Sequence, residues 1–238
     1  MPPLNSLDTW SSRTEWKVEK PKSKCLLIGE GANTEYWYFD SLATRLAKEG
    51  KPELIELKPV ERTEGEKNQS SPRKLLEHAI AVADGQANGG EFIKGSDRIV
   101  VVFDVDVFND NPDGYATLLA DFRDAEVEVA VTYPSFELNL MLHKRGALEA
   151  TILPNRQEIE KNGHAPGSRR RFIEKLASDE LGMNPKTNHH IGDLAANFEI
   201  ALVAEAKLNQ DPNLAVGRLT SNVAKTIQGV IDDGAIDI

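Results

Sequence analysis

Four carboxylates fall where two apolar runs end. Residues 24–29 (KCLLIG) run into Glu30, and residues 98–103 (RIVVVF) run into Asp104 and Asp106. Glu35 follows Glu30 after one short turn. On extended backbone, side chains alternate between faces, so Asp104 and Asp106 are expected on the same face. Clustered carboxylates repel one another unless a cation lies among them. Hard divalent ions with oxygen ligands meet that need, and Mg²⁺ keeps several waters while joining a few carboxylates to substrate phosphates. The chemistry that follows is phosphoryl transfer or phosphodiester cleavage. A single acid at a strand end is commonly a helix cap or a solvated turn. The joint placement of Glu30, Glu35, Asp104 and Asp106 is what points to a site.

The elements that must carry these acids can be read from periodicity. Residues 24–29, 54–60, 98–103 and 127–132 read as strands. Between them, Tyr36, Phe39, Leu42, Ala43 and Leu46 recur at helical spacing up to Gly50, and Pro72 opens a second helix carrying Leu75, Leu76, Ala79, Ile80 and Val82. Residues 115–123 and 134–143 read as further helices, and 61–72 and 85–95 as loops. Strand and helix alternate, which calls for a parallel sheet with right-handed crossovers. In such open sheets ligands bind beyond the carboxyl ends of the strands, which is where the acids stand. After residue 150 the pattern changes. Residues 167–181, 192–208 and 215–232 read as helices, with no convincing strand. The expectation is an α/β fold in three parts: an N-terminal arm at 1–22, a catalytic sheet domain at 23–150, and a helical part at 151–238 packed on it.

Composition narrows the classes. The chain has 238 residues, 28 Lys+Arg against 38 Asp+Glu, a net charge of −10, and 40% hydrophobic residues. That is an ordinary globular balance, long enough for a core without disulfides. No apolar run approaches the roughly 20 residues of a membrane span. The opening MPPLNSLDTWSSRTEW has no apolar stretch of the signal-peptide kind, so a cytoplasmic location is expected. The single cysteine, Cys25, excludes an internal disulfide and a cysteine zinc site, and reads as a core residue. The acidic balance argues against broad coating of nucleic acid, though not against a local basic patch beside bound metal.

Two motif readings fail on the letters. Gly29-Glu30-Gly31-Ala32-Asn33-Thr34 sits where a dinucleotide fingerprint would, but Thr34 replaces the third glycine and Glu30 would oppose a pyrophosphate. Asn109 to Gly114 imitates the start of an EF-hand loop, but its twelfth position is Ala120 rather than a bidentate Glu. A third reading stays open. Phe103-Asp104-Val105-Asp106-Val107 resembles the nucleophile motif of haloacid-dehalogenase-type phosphatases, which would make Asp104 the phosphorylated residue.

A broader resemblance covers residues 23–145. The segment from Leu27 to Tyr36, with its Glu-Gly and Thr-Glu pairs, resembles the first motif of Toprim domains of the OLD-like branch. Val101-Val102-Phe103-Asp104-Val105-Asp106 resembles the Toprim Asp-x-Asp motif. Residues 133–143 (YPSFELNLMLH) are similar to the Asn-Pro-x-Phe-Glu-x-Trp-Leu-Leu-x-His stretch of the RloB family, Toprim proteins of prokaryotic defence loci. Asn33 departs from a common Lys, and Asn139 from a common Trp. The resemblance implies a Toprim-like α/β fold and a metal-dependent nuclease. Glu30 would act as acid/base or metal ligand, Asp104 and Asp106 would hold Mg²⁺ or Mn²⁺, and Glu35 would complete a second metal position. Glu137 would bind metal or order its surroundings. The expected partner is nucleic acid, RNA (tRNA foremost) ahead of DNA. A defence-system partner or activator and a homodimer are further options, and no membrane is expected.

A phosphate backbone needs cations. Arg169-Arg170-Arg171, at the start of a predicted helix, is the densest basic run, and Lys144-Arg145 follows the Phe-Glu helix; Arg73-Lys74 is a third option. Lys144 and Arg169 to Arg171 are the favoured candidates. His143 reads equally as a site residue or a buried structural one. His189 and His190 read as loop or cap residues, and Trp10, Trp16 and Trp37 as packing residues. A second class of function stays open: a nucleotide-sensing or scaffold subunit of a defence complex without catalysis of its own.

Overall fold

The computed structural model describes residues 23–31, 33–49, 55–60, 71–87 and 92–235. The expected arm, with Trp10 and Trp16, and most of the 61–72 loop lie outside the described residues. In chain order the elements are β1 (Ser23–Gly29), α1 (Thr34–Lys48), β2 (Ile55–Pro59), α2 (Pro72–Ala83), β3 (Arg98–Asp104), α3 (Pro112–Asp124), β4 (Glu128–Tyr133), α4 (Glu137–Leu142), α5 (Arg156–Lys161), α6 (Phe172–Leu181), α7 (Phe198–Glu205), β5 (Thr220–Ser221) and α8 (Val223–Ala235). A 3-10 stretch over His189–Asn197 lies between α6 and α7.

Alternation along the strands sets the layers. On β1, Cys25 and Leu27 face one core, and Leu26 and Ile28 the other. On β3, Val100 and Val102 join the first core, and Ile99, Val101 and Phe103 the second. A strand buried on both faces reads as an unbroken apolar run, as these do. Side chains of α1, the 3-10 stretch, α7 and α8 cover the first face; α2 and α3 cover the second. Full burial stabilises each large aliphatic side chain by about 1.5–3 kcal/mol, so these two layers hold the strands in place.

The sheet order is β2-β1-β3-β4-β5. The first four strands are parallel, and β5 pairs antiparallel with β4. The chain leaves β1 for β2 on one side and later returns to place β3 on the other. A crevice therefore opens between the carboxyl ends of β1 and β3, the switch point where open α/β sheets bind ligands.

The C-terminal part departs from the all-helical expectation in three ways. β5 lies within 215–232 and joins the sheet. It has two residues, too few to show alternation, and is fixed by Asn222, whose Oδ1 accepts from Val131 N at 2.6 Å. The segment 192–208 divides into the 3-10 stretch and α7, because the first piece packs tightly on α1: a Cβ on Gly192 would lie 2.2 Å from Ser41 Oγ. Finally, α6 begins at Phe172 and not at 167. The arginine run sits before it in a bridged turn, in which Ala165 N donates to Arg170 O at 2.9 Å and Phe172 N to Gly163 O at 2.8 Å. The EF-hand-like letters also have a structural use. Asn111 caps α3 by accepting from Gly114 N at 3.0 Å.

Candidate active site

Glu30 and Asp104 meet across the switch point. Glu30 extends the β1–β3 pairing by one step, its N–H donating to Val102 O at 2.9 Å. Its carboxylate Oε2 then accepts from Asp104 N, also at 2.9 Å. The register places Asp104 opposite Thr132 on β4, and the Thr132 hydroxyl donates to Asp104 Oδ1 at 2.6 Å. Burial, and then the charges of Glu30, Glu35 and Glu137, push the Asp104 carboxyl well above the ordinary carboxylate range; the Thr132 hydrogen bond pulls the other way.

Glu35 lies in the first turn of α1 and is buried. Its carboxylate folds back, Oε1 accepting from Gly31 N at 2.9 Å. The flanking glycines make this possible. A Cβ on Gly31 would stand 1.9 Å from Glu35 Oε2, and one on Gly29 would stand 2.9 Å from Glu35 Cβ. The two glycines of Gly29-Glu30-Gly31 thus clear room for a carboxylate.

Asp106 does not share a strand face with Asp104. The chain leaves extended backbone after Asp104, and Asp106 opens a 3-10 turn over Asp106–Phe108. Its Oδ2 accepts from Asn162 Nδ2 at 2.9 Å. Asn162 takes a left-handed conformation (φ 49°) at the end of α5, which brings its amide to the turn. Glu137, the first residue of α4, is buried, and its Oε2 accepts from Ser135 Oγ at 2.6 Å.

All five acids line one cleft of about 420 Å³, with Glu174, Arg171 and Lys186. A larger hollow, about 1060 Å³, opens beside Ser23, Asp97 and Arg98 at the amino ends of the strands, away from the switch point. The cleft at the carboxyl ends is the better candidate, because it holds the acids in the place where this topology binds ligands.

The predicted cations divide. Arg171 lines the cleft, its guanidinium bonded to Asn162 O. Arg170 turns along α6 instead, Nη2 donating to Glu174 O at 2.8 Å and to Ser178 Oγ at 2.6 Å. Arg169 is exposed outside the cleft lining. Lys144 is drawn away by Glu180, 2.8 Å from its carboxylate. In the turn before α6 the three arginines have three different surroundings.

Lys186 is the cation that sequence reasoning missed. Its ammonium pairs with Glu174 and lies 3.8 Å from Glu137 Oε1. Burial would lower it, but the Glu174 hydrogen bond and the charges of Glu137, Glu174 and Asp104 outweigh burial and hold it above its usual value. Thr132, Ser135 and Asn162 were missed as well. Thr132 and Asn162 act through contacts that only the folded chain creates, and Ser135 through a local one to Glu137 two residues on.

His143 is structural. It is fully buried, with Nδ1 2.9 Å from Asn139 O and Nε2 2.8 Å from the Tyr38 hydroxyl. A carbonyl can only accept, so Nδ1 carries the proton and Nε2 accepts from Tyr38. Cys25 is a core residue, its thiol pushed up to about 12 chiefly by burial. Trp37 packs edge-on against His189, and Asn188 caps the turn at His190 N at 3.0 Å.

Among the described residues, no group of three His, Cys, Asp or Glu side chains is gathered tightly enough to hold a metal ion as it stands. Glu30, Glu35, Asp104, Asp106 and Glu137 each spend at least one oxygen on a protein hydrogen bond. The donor set is nonetheless all-oxygen and anionic, which suits a hard divalent ion. Mg²⁺ binds through one or two carboxylates and keeps its waters, so it needs no preformed cage. The residues present fit such an ion.

Among the described residues no helix is long and apolar enough to cross a membrane. Comparison with curated proteins and with solved structures gave no match. The family model of RloB-like proteins matches residues 25–229, a span that takes in every residue lining the cleft, and the chain belongs to that family.

Proposed function

We propose that the protein is a Mg²⁺- or Mn²⁺-dependent endonuclease of Toprim type, acting in antiviral defence, with RNA (tRNA foremost) ahead of DNA as substrate. One observation carries the reading. Five carboxylates meet in a cleft at the switch point, and burial, followed by the charges of Glu30, Glu35 and Glu137, pushes the Asp104 carboxyl well above its usual range. A cluster built at that electrostatic cost calls for a cation.

Glu30, Glu35, Asp104 and Asp106 would hold the ion, and its chemistry would be to polarise the phosphodiester and lower the pKa of a water. Asp104 N–H fixes the Glu30 carboxylate, which would take or give a proton at the scissile phosphate. Gly31 N–H and Thr132 Oγ keep Glu35 and Asp104 directed into the cleft. Glu137, held by Ser135, orders the α4 side of the cleft. Arg171, exposed at the rim, offers its guanidinium to a phosphate, where a fixed positive charge stabilises the developing negative charge of the transition state.

The test is incubation of the full chain with total tRNA, single-stranded RNA and plasmid DNA, each with Mg²⁺ or Mn²⁺ and each beside Asp104→Ala and Glu30→Ala. The expected result is metal-dependent cleavage of RNA that both substitutions abolish. Cleavage retained in either variant would overturn the mechanism. Acid-labile phosphorylation of Asp104 would favour the phosphatase reading in its place.

A further inference from the structure

Among the described residues, Lys186 is the one cleft-lining cation in ionic contact with the acids on that side. It belongs to the segment between α6 and the 3-10 stretch, and that segment is fixed at several points. Pro185 is buried, and its carbonyl accepts from the Thr34 hydroxyl at 3.1 Å, tying the segment to the first residue of α1. Asn184 accepts through its carbonyl from Asn188 N at 3.1 Å and through its side chain from Lys186 N at 3.2 Å. The stretch that follows is clamped on α1 at Gly192. The ammonium is therefore carried into the cleft by ordered backbone. There it pairs with Glu174 and stands 3.8 Å from Glu137.

The cleft is lined by six carboxylates and two cations, Arg171 and Lys186. Arg171 is engaged at the Asn162 carbonyl. A divalent ion bound at Glu137 or Glu174 would have to sit beside the Lys186 ammonium, and like charges at contact distance exclude each other. We propose that Lys186 is the resident cation of the cleft. It fills the place at Glu137 and Glu174 that a divalent ion would otherwise take, and so confines exchangeable ions to the side of Glu30, Glu35, Asp104 and Asp106. The inference rests on the metal-site reading above and adds where in the cleft ions exchange.

The experiment counts bound Mn²⁺ per chain, from the electron paramagnetic resonance signal of the free ion, in the full-length protein, Lys186→Ala and Lys186→Arg. Lys186 is a surface residue, and circular dichroism confirms that each variant is folded. The expected result is the same Mn²⁺ count per chain in the wild type and in Lys186→Arg, and one more in Lys186→Ala. Equal, non-zero counts in wild type and Lys186→Ala would overturn this inference and leave the metal site standing. No binding in either would bring down both.

Discussion

His143 ties the stability of this fold to pH in a calculable way. Its ring is fully buried and neutral, donating through Nδ1 to Asn139 O and accepting at Nε2 from Tyr38. Burial is the main cause that lowers its pKa from 6.5 to about 4. As pH falls below 6.5, the unfolded chain takes up a proton at this position, while the folded chain does not until about pH 4. The unfolded state therefore binds more protons in that window, and stability falls with falling pH. At about 1.36 kcal/mol per pH unit, the loss reaches about 3 kcal/mol by pH 4. His143→Gln keeps a donor and an acceptor but cannot titrate. Urea unfolding followed by tryptophan fluorescence, at half-unit steps from pH 7.5 to 4, gives the difference between the two proteins. It should grow by about 3 kcal/mol across the window. Other titrating groups act on both proteins and cancel. Parallel stability curves would refute the assignment of a neutral, buried His143.

Three more outcomes follow from contacts in and behind the cleft. Gly31→Ala places a Cβ 1.9 Å from the Glu35 carboxylate and must displace it, so Mn²⁺ affinity measured by calorimetry should fall roughly 10–100-fold with the fold intact. Asp104→Asn removes a carboxyl whose charged form is disfavoured by burial and then by Glu30, Glu35 and Glu137; its melting temperature should rise by about 2 °C or more while cleavage is lost, and a fall would contradict that electrostatic cost. Asn139 is fully buried, and its side-chain amide has no hydrogen-bond partner among the described residues. Asn139→Leu should stabilise the protein by about 1–3 kcal/mol in urea unfolding, and an unchanged midpoint would point to a partner for that amide.

What could be read from the sequence was what local pattern records. The apolar runs ending in Glu30 and Asp104 announced both strands and the edge at which they end, because a doubly buried strand must be continuous. Glu35 was legible by its distance from Glu30, although the need for Gly29 and Gly31 beside it was not. Thr132 and Asn162 gave no sign, since their roles depend on strand register and on a left-handed turn far along the chain. Lys186 lay hidden for the same reason: only the strap from Thr34 to Pro185 brings it to the acids. The arginine run misled in the opposite direction. It looked like one basic patch, but it lies in a bridged turn, and only Arg171 of the three lines the cleft.

The origin of the groups that hold the acids bears on how the site is assembled. Glu30, Glu35 and Asp104 are fixed within the sheet part, by Asp104 N, Gly31 N and Thr132. Asp106 is fixed by Asn162, and the Glu137 side is neutralised by Lys186, both from beyond residue 150. The same C-terminal part supplies β5 to the sheet and α8 to the core beneath α1. A repulsive cluster is stable only if the surrounding packing outweighs it. Here part of that packing, and two of the groups that hold the acids, come from the segment beyond residue 150. The sheet part therefore carries the five predicted acids, and Asn162, Arg171, Glu174 and Lys186 from beyond residue 150 complete the lining of the cleft.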